Sequence, residues 1–351
     1  MYNDVFIKLT ERLEAPNSKY LLRIINKTIT PEETELLLEL PAPTSELAIK
    51  LHRTENDVKA SIASLLKRGW LMGSPQGLKL PPNCIMLHHT CLTALPELTD
   101  PEMTKIWKEW YDAEWSKDAS TFWIGPEGPN LRVIPTTKAL DAFVKASSTR
   151  VLPYEDPRKI IQDAKVISVV ECACRRTMLK CDHPVETCLH LDGRAEFDLS
   201  RPTGKKLSVD EALAVLNYAQ DSGLVPTVDN VTSPFGAICF CCSESCVVIN
   251  SAMRYGTLTK QLAKSRFQAE VNENICTGCK LCTRRCQFGA MTMEEIPGPK
   301  KKLKVRIDIE KCWGCGQCIL KCKPQAISLK LVRPATHIPG GKIEDSEQRV
   351  L

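Results

Sequence analysis

Two short segments near the C-terminal end carry cysteines at the same spacing, C-x2-C-x2-C-x3-C. Their cysteines are Cys276, Cys279, Cys282 and Cys286 in the first segment and Cys312, Cys315, Cys318 and Cys322 in the second. At this spacing a short loop can turn three thiolates onto three irons of one cubane, while the fourth cysteine begins a helix that points away. Zinc also binds C-x2-C pairs, but structural zinc sites usually join two pairs that are separated in sequence. The pattern therefore favours 4Fe-4S clusters over zinc.

Both segments resemble bacterial-type two-cluster ferredoxins, and the resemblance extends beyond the cysteines. After each fourth cysteine, residues 287–293 and 323–329 combine a small residue with alternating apolar residues, which predicts a strand in each copy. In that family, the fourth cysteine of each segment binds the cluster of the other segment. The resemblance, which covers about residues 268–333, therefore implies two crossed ligand sets. They are Cys276, Cys279, Cys282 and Cys322 for one 4Fe-4S cluster, and Cys312, Cys315, Cys318 and Cys286 for the other.

Two features depart from the family pattern. Proline usually follows the fourth cysteine directly, whereas here Gln287 follows the first copy and Pro324 is displaced by one residue in the second. An insert at residues 294–304 also separates the two halves, and it predicts a hairpin with a Pro-Gly-Pro turn at residues 297–299. Neither departure removes a ligand, so both bear on reduction potential and docking and leave the expected clusters in place.

Eight further cysteines lie in the central part of the chain. They are Cys172, Cys174, Cys181, Cys188, Cys239, Cys241, Cys242 and Cys246. Apolar runs predict strands that lead into the C-x-C pairs at 172–174 and 239–241, which indicates an internal duplication or two facing loops. Because alternate side chains of an extended backbone point the same way, both cysteines of each pair would face one site. His183 and His190 lie nearby in sequence.

These central cysteines predict metal binding. A disulfide role is disfavoured in a reducing compartment, and the unequal spacings between the cysteines fit zinc poorly. We therefore expect one or two further iron–sulfur clusters, with a zinc site and buried or redox-active thiols as the alternatives. Residues 172–193 and the capped helix that follows them are also similar to a poorly described group of iron–sulfur proteins from anaerobes, which also end in a dicluster ferredoxin. That similarity implies no defined activity.

The remaining sequence predicts a multidomain α+β protein. In chain order, the predicted parts are a winged-helix-like domain at 1–82, a Trp-rich connecting region at 83–150, an α/β cysteine-rich metal domain at 151–265, a ferredoxin-like dicluster domain at 266–333, and a loosely held tail at 334–351. Four of the six tryptophans lie between residues 107 and 123, and such a stripe most often packs in a core or between domains, with a subunit interface as the alternative. Cys84 and Cys91 lack metal-ligand spacing and are expected to be small buried residues.

The N-terminal part resembles a winged helix-turn-helix, which raises the question of DNA binding. Its second helix, predicted at residues 57–68, offers only Lys59, Lys67 and Arg68 as cations. We therefore favour a docking or structural role, and expect no DNA complex tighter than about micromolar at physiological salt.

Composition limits the protein class. A chain of 351 residues with 43% apolar content can form two or three domains with real cores. The start of the chain lacks the apolar region of a signal peptide, and no apolar stretch is long enough to cross a bilayer, which predicts a cytoplasmic protein without membrane insertion. Two clusters, each with a net charge of about −2 including its thiolates, would lower the formal charge of +5 to about +1, so the overall charge does not support a nucleic-acid partner.

Together these patterns predict an iron–sulfur electron-transfer protein or subunit that passes single electrons between a redox partner protein and metal in the central domain. No dinucleotide fingerprint, phosphate loop or activated nucleophile is evident. A cluster-containing reductase or activating enzyme and a redox-responsive transcription regulator are the alternatives. Lysines and arginines concentrate at residues 300–306, which predicts either a solvated hairpin tip or a surface that steers an acidic partner. The sequence does not determine the oligomeric state.

Overall fold

The computed structural model describes residues 3–74, 77–94, 101–122, 124–147, 149–201, 203–296 and 302–341. The α-helices are α1 (Asp4–Arg12), α2 (Lys19–Thr28), α3 (Pro31–Leu38), α4 (Thr44–Lys50), α5 (Glu55–Lys67), α6 (Cys84–Leu92), α7 (Pro101–Trp110), α8 (Ser116–Ala119), α9 (Thr137–Ser147), α10 (Pro157–Asp163), α11 (Ala173–Met178), α12 (Gly193–Leu199), α13 (Val209–Asp221), α14 (Val247–Arg254), α15 (Leu258–Gln261) and α16 (Leu281–Arg285). The strands are β1 (Met72–Ser74), β2 (Gly77–Lys79), β3 (Ile124–Gly125), β4 (Gly128–Pro129), β5 (Leu131–Val133), β6 (Ile167–Glu171), β7 (Glu186–Leu191), β8 (Lys205–Lys206), β9 (Val225–Asp229), β10 (Ala237–Cys241), β11 (Leu262–Ala263), β12 (Phe267–Val271), β13 (Met291–Ile296), β14 (Lys302–Ile307) and β15 (Ile327–Leu331). Across these residues, no helix combines the length and apolar character needed to span a bilayer.

The N-terminal part contains helices α1 to α5, followed by the antiparallel hairpin of β1 and β2. Thr30 and Glu33 form a capping box at the start of α3, and Pro31 occupies its first turn. The side chain of Thr54 caps α5 by accepting a hydrogen bond from the Asp57 N–H.

The tryptophan-rich segment packs at the centre of the molecule. Trp107, Trp110 and Trp115 are each at most 1% exposed, and the rings of Trp107 and Trp110 stack with their centroids 5.3 Å apart. The ring of buried His88 contacts Trp115 edge-on at 4.7 Å. The packing role predicted for this stripe is confirmed for these three tryptophans, and Trp123 lies outside the described residues.

A seven-stranded sheet with the strand order β11-β5-β9-β10-β7-β6-β8 forms the central domain. All neighbouring strands in this sheet are antiparallel except β11 and β5. Strands β6 and β10 both run antiparallel to β7, so they point the same way and their carboxyl ends lie at one edge. Strand β5 comes from the predicted connecting region, because Leu131–Val133 pairs with β9. The structure therefore adds part of that region to the central domain.

The C-terminal domain contains two antiparallel strand pairs, β12 with β15 and β13 with β14. Strands β13 and β15 begin where the sequence predicts a strand after each fourth cysteine. Strands β13 and β14 form the predicted hairpin, and its turn at residues 297–299 lies outside the described residues. This domain is fixed to the rest of the chain by the buried ion pair of Arg266 with Glu155, whose Nη1 and Oε2 atoms are 2.9 Å apart. The rings of Phe143 and Phe267 add an edge-on contact at 4.9 Å.

The prediction of a loosely held tail is wrong for residues 334–341. Ala335 and Ile338 are fully buried, and a ring nitrogen of His337 lies 2.9 Å from the Lys264 carbonyl oxygen. Burial of these two apolar side chains holds the segment against the domain. Residues 342–351 lie outside the described residues.

Candidate metal centres

The first three cysteines of the first segment share a small pocket with the fourth cysteine of the second segment. This pocket is lined by Cys276, Cys279, Cys282 and Cys322. Apolar side chains of β13, β14 and β15 complete its wall, and they are Met293, Val305 and Ile327. The pocket thus brings together the four residues that the ferredoxin resemblance assigns to one cluster.

The remaining cysteines of the two segments, Cys286, Cys312, Cys315 and Cys318, lie close to one another within the same domain. Burial, with a smaller contribution from the thiolate charges of Cys286 and Cys312, raises the pKa of Cys315 to about 12. Burial followed by the charges of Cys315 and Cys312 likewise raises the pKa of Cys318. Metal binding displaces these protons, because the thiolate is the form that binds iron.

Backbone amides support two of these sulfurs. The Ala290 N–H donates to the Cys286 Sγ atom at 3.2 Å, and the Ala269 N–H donates to Cys312 Sγ at 3.5 Å. One detail of the sequence prediction is wrong, because Cys286 follows the last residue of α16 and does not begin a helix. Lys280 is the N-cap of that helix and has a left-handed conformation with a φ of 63°, so the helix begins directly after it and ends before Cys286.

Equivalent glycines show how tightly each loop is packed around the cysteines. Gly278 and Gly314 have φ values of +70° and +71°. A Cβ atom on Gly278 would lie 2.3 Å from the Leu303 carbonyl oxygen, and one on Gly314 would lie 2.0 Å from that of Phe267. Only glycine allows these approaches. Eight thiols in two crossed groups, each beside a close glycine turn, are a donor set that fits two 4Fe-4S clusters.

Substituting Gly314→Ala should lower both the melting temperature and the iron content of the protein, because the new Cβ must push the loop of Cys312 and Cys315 away from β12. Gly289→Ala is the matched control, since Gly289 also has a positive φ of +64° but a Cβ there meets nothing within 4 Å. The control should cost only about 1–2 kcal/mol of backbone strain. Thermal unfolding and iron analysis of both variants measure the difference, and equal behaviour of the two would contradict the packing argument.

Six of the eight central cysteines line one cavity of about 120 Å³ at the edge of the sheet. They are Cys172, Cys174, Cys188, Cys239, Cys241 and Cys246. Strands β7 and β10 and the first turns of α11 and α14 supply these cysteines. Helix α6 closes the opposite wall with Ile85, Met86, His88 and His89.

Hydrogen bonds divide the six cysteines into a group of four and a pair. Cys174 makes side-chain hydrogen bonds with Cys172 and Cys246, and the Sγ atoms of Cys246 and Cys241 are 3.6 Å apart. The pair comprises Cys188 and Cys239, which contact each other across β7 and β10. The group of four thus forms a continuous series of thiol contacts, and among the described residues Asp229 is the one acidic residue that lines the cavity. Such a donor set suits a 4Fe-4S cluster.

The cavity favours thiolates at two of its cysteines. A hydrogen bond from Cys174, assisted by the charge of Arg175, outweighs burial and lowers the pKa of Cys172 to about 6. Hydrogen bonds with Cys174 and Cys241 hold the pKa of Cys246 well below its usual value. The Arg175 guanidinium is 4% exposed and donates to the Phe240 carbonyl oxygen at 2.6 Å, which fixes its charge beside these sulfurs.

The geometry of the first C-x-C pair differs from the sequence prediction. Cys172 is the N-cap of α11 and Cys174 lies in its first turn, so this pair is not on an extended backbone. In β10, by contrast, Cys239 and Cys241 lie on one extended strand and face one site, as alternation predicts. The two strand-to-cysteine units do face each other, because β6 and β10 end at the same edge of the sheet.

The sequence allows His88 and His89 as possible ligands but favours a surface or core role, and the structure places both in the cavity wall. His88 is buried and His89 is half-buried, and Arg194 approaches His89 with 2.6 Å between Nη2 and Nε2. Burial lowers the pKa of both histidines, that of His88 to about 3, so both rings are neutral. Helix α6 is apolar on nearly every side, and no residue spacing in it signals a site. As predicted, Cys84 and Cys91 are small buried residues, at 5% and 4% exposure.

Cys181 and Cys242 lie outside the cavity. Their Sγ atoms are 3.7 Å apart, on the loop before β7 and the loop after β10. Cys242 packs in the apolar core with Ile238 and Phe240, on the face of β10 opposite Cys241. The eight central cysteines are therefore separated into six and two.

One apolar cluster connects the cavity to the C-terminal domain. It contains Cys241 and Cys246 from the cavity and Cys286 and Cys315 from the second ferredoxin set. In the same cluster the rings of Phe288 and Trp313 stack with their centroids 4.9 Å apart. The indole N–H of Trp313 donates to the carbonyl oxygen of Leu262, a residue of the cavity wall, at 3.4 Å.

A basic groove of about 1130 Å³ opens beside Cys322, which belongs to the first ferredoxin set. Its cationic lining residues are Lys138, Lys145, Arg284, Arg285, Lys321 and Lys323.

The sequence also predicts a concentration of cations on the hairpin of β13 and β14, and some of these cations contact groups of the same chain. Arg306 pairs with Glu273 and Glu294, and Lys304 donates to backbone carbonyl oxygens, while Lys300 and Lys301 lie outside the described residues.

Comparison with known proteins identifies the C-terminal domain. Residues 275–326 match the family model of the 4Fe-4S dicluster domain. Indolepyruvate oxidoreductase subunit IorA of Pyrococcus horikoshii is 42% identical over 53 residues, which are 15% of this chain and 7% of that protein. One component of the ion-translocating oxidoreductase complex of Methanosarcina acetivorans is 36% identical over 67 residues, 19% of this chain and 23% of that protein. Translation initiation factor RLI1 of Chaetomium thermophilum is 36% identical over 56 residues, 16% of this chain and 8% of that protein.

These similarities are local. The chain spans less than a quarter of the length of each of these three relatives. No solved structure matches the chain. The family match covers only the domain that carries the two repeated cysteine segments. Residues 275–326 form a 4Fe-4S dicluster domain, whose eight cysteines support two 4Fe-4S clusters.

Proposed function

We propose that this protein transfers single electrons between an acidic redox partner, which docks in the basic groove, and a third iron–sulfur centre in the six-cysteine cavity. The observation that carries this proposal is the apolar cluster in which Cys286 and Cys315 meet Cys241 and Cys246 around the stacked rings of Phe288 and Trp313. When bound, 4Fe-4S clusters supply one-electron redox chemistry. Two of the relatives are named as parts of oxidoreductases, which agrees with such a role.

In this proposal the crossed cysteine sets hold two clusters side by side in the C-terminal domain. Cys276, Cys279, Cys282 and Cys322 hold the one beside the groove, and Cys286 belongs to the inner set. Phe288 and Trp313 keep water away from the apolar cluster that the inner set shares with the cavity, since both are 5% exposed. Cys172, Cys174, Cys241 and Cys246 hold the third centre.

The groove is the proposed docking surface because its charge and position both suit an acidic electron carrier. Lys145, Arg284, Lys321 and Lys323 are exposed, and within the described part of the chain none of them has an acidic partner. They surround Cys322, so a carrier bound there approaches the outer cluster set closely. Opposite charge on the partner would raise the association rate, and salt would screen this effect.

Stopped-flow reduction by a reduced acidic flavodoxin tests the proposal. At low salt, Arg284→Glu combined with Lys321→Glu should slow the bimolecular step by at least about tenfold. The control is Lys8→Glu combined with Lys67→Glu, which changes the net charge equally on exposed positions of α1 and α5. In the wild-type protein a second, concentration-independent step should follow, as the cavity centre is reduced.

Two results would contradict the proposal. If both double variants are slowed equally, the groove is not the docking site. If the second step is missing although the cavity contains iron, the cavity does not exchange electrons with the C-terminal domain. Reduction by a small uncharged flavin serves as a reference, since its rate should change little in either double variant.

A further inference from the structure

The two cysteines outside the cavity are accompanied by further ligand atoms. The ligand atoms of His183, Cys242 and Glu244 all lie within 4.8 Å of one another, and Cys181 Sγ is 3.7 Å from Cys242 Sγ. Cys181 and His183 come from the loop between α11 and β7, and Cys242 and Glu244 come from the loop between β10 and α14. Each loop thus contributes one sulfur and one other donor.

We infer that Cys181, His183, Cys242 and Glu244 form a binding site for a single zinc ion, distinct from the proposed cavity centre. Two thiolates, an imidazole and a carboxylate are donors that zinc accepts. His183, Cys242 and Glu244 are the mutually close donors, and Cys181, in contact with Cys242, would complete the four that tetrahedral zinc prefers. A 4Fe-4S cluster would need more thiolates than this group provides. The sequence spacing of the eight central cysteines, taken together, fits zinc poorly. The folded chain, however, groups Cys181 and Cys242 with a histidine and a glutamate.

The surroundings hold these donors in place. The Ser245 hydroxyl lies 3.1 Å from Cys181 Sγ, to which it donates a hydrogen bond. Cys242 is fully buried, whereas Cys181 and His183 are half-buried and Glu244 is exposed. An ion can therefore enter from the side of Glu244 while the Cys242 sulfur is shielded from solvent.

The site would have a structural role at the boundary between two domains. Ser243, between the two ligands of the second loop, donates to the Gln287 side-chain oxygen through its N–H at 2.9 Å and its hydroxyl at 2.8 Å. Gln287 directly follows Cys286 of the inner ferredoxin set. A zinc ion that fixes residues 242–244 would therefore also fix the contact between the central domain and the second cysteine segment.

Metal analysis of the full-length protein, expressed with iron and zinc and purified without oxygen, tests this inference. We expect about one zinc per chain in addition to the iron. His183→Ala and Glu244→Ala should each weaken zinc retention against a chelator by at least about tenfold while the iron content stays constant. Glu244→Ala changes an exposed side chain, so it tests the site without disturbing the core. Cys91→Ser, a buried cysteine whose thiol contacts the Gly69 carbonyl oxygen, is the control that should retain zinc.

Cobalt replacement gives a second readout. Protein loaded with Co²⁺ in place of zinc should show absorption from cobalt–thiolate bonds, and Cys242→Ser should reduce that absorption. The inference is overturned if the wild-type protein holds no zinc, or if His183→Ala removes about four irons per chain, because the latter result would place these residues on an iron–sulfur cluster.

Discussion

Replacing Cys174 or Cys241 with serine should lower the iron content of the full-length protein from about twelve to about eight atoms per chain. Both thiols belong to the group of four in the cavity, and each is in contact with Cys246. Serine keeps the volume of cysteine but provides a poor iron ligand. Iron and sulfide analysis after anaerobic reconstitution would measure the loss, and paramagnetic resonance would show which signals persist.

The matched control for this experiment is Cys91→Ser, because Cys91 is also buried but lies outside the cavity. Its iron content should equal that of the wild-type protein. Cys188→Ser tests whether the ligands of the cavity centre include the Cys188–Cys239 pair. If they do, this variant should lose about four irons, and if the group of four holds the cluster alone, its iron content should not change. A wild-type protein with about eight irons and free thiols in the cavity would refute the third centre.

Substituting Cys286→Ser should remove the cluster of Cys312, Cys315 and Cys318 and leave the cluster of the neighbouring segment largely intact. Cys286 lies among the second set, where its charge contributes to the raised pKa of Cys315. Cys322→Ser should have the reciprocal effect, because Cys322 lines the pocket of Cys276, Cys279 and Cys282. Each variant should lose one set of ferredoxin signals in paramagnetic resonance.

The reciprocal pair makes this test internally controlled. Both variants replace the fourth cysteine of a segment, so any general effect of the substitution on folding should appear in both. Crossed ligation predicts that different signals disappear in the two proteins. Loss of the Cys276 set in Cys286→Ser would show that each segment binds its own cluster, and the arrangement of the pocket at Cys322 would then need another explanation.

The ferredoxin cysteines were predictable because their spacing and their geometry are set by the same short loops. The strands that follow Cys286 and Cys322 were also predictable, since apolar alternation there continues into β13 and β15. The capping boxes of Thr30 with Glu33 and of Ser208 with Glu211, at the starts of α3 and α13, are likewise local sequence patterns. In each case the information lies within about ten residues of chain.

The division of the central cysteines was only partly predictable. Cys241 and Cys242 are neighbours at the end of a strand, so their side chains must point to opposite faces, and this alone separates Cys242 from the cavity. The position of Cys181 depends on which loops meet in the folded chain, which no local pattern encodes. The same holds for α6, whose histidines reach the cavity from a segment about 80 residues before Cys172. Strand β5 was missed because three residues are too short to show alternation.

The N-terminal domain leaves one prediction for experiment. Within α5, Lys59 is 3.3 Å from Glu55, so one of the few cations on that helix is already paired. The expectation of no DNA complex tighter than about micromolar therefore stays a prediction.

In the proposed function, the docked position of the C-terminal domain determines how the rate of electron transfer depends on protein concentration. Separate electron carriers must find their acceptor by diffusion, and each encounter competes with other carriers in the cell. Here the buried Arg266–Glu155 pair and the hydrogen bond of Trp313 with Leu262 hold the C-terminal domain and the six-cysteine cavity, the proposed donor and acceptor regions, in one fixed arrangement. Exchange between them would be unimolecular, so its rate would not fall with dilution, and only the first electron delivered from outside would depend on abundance.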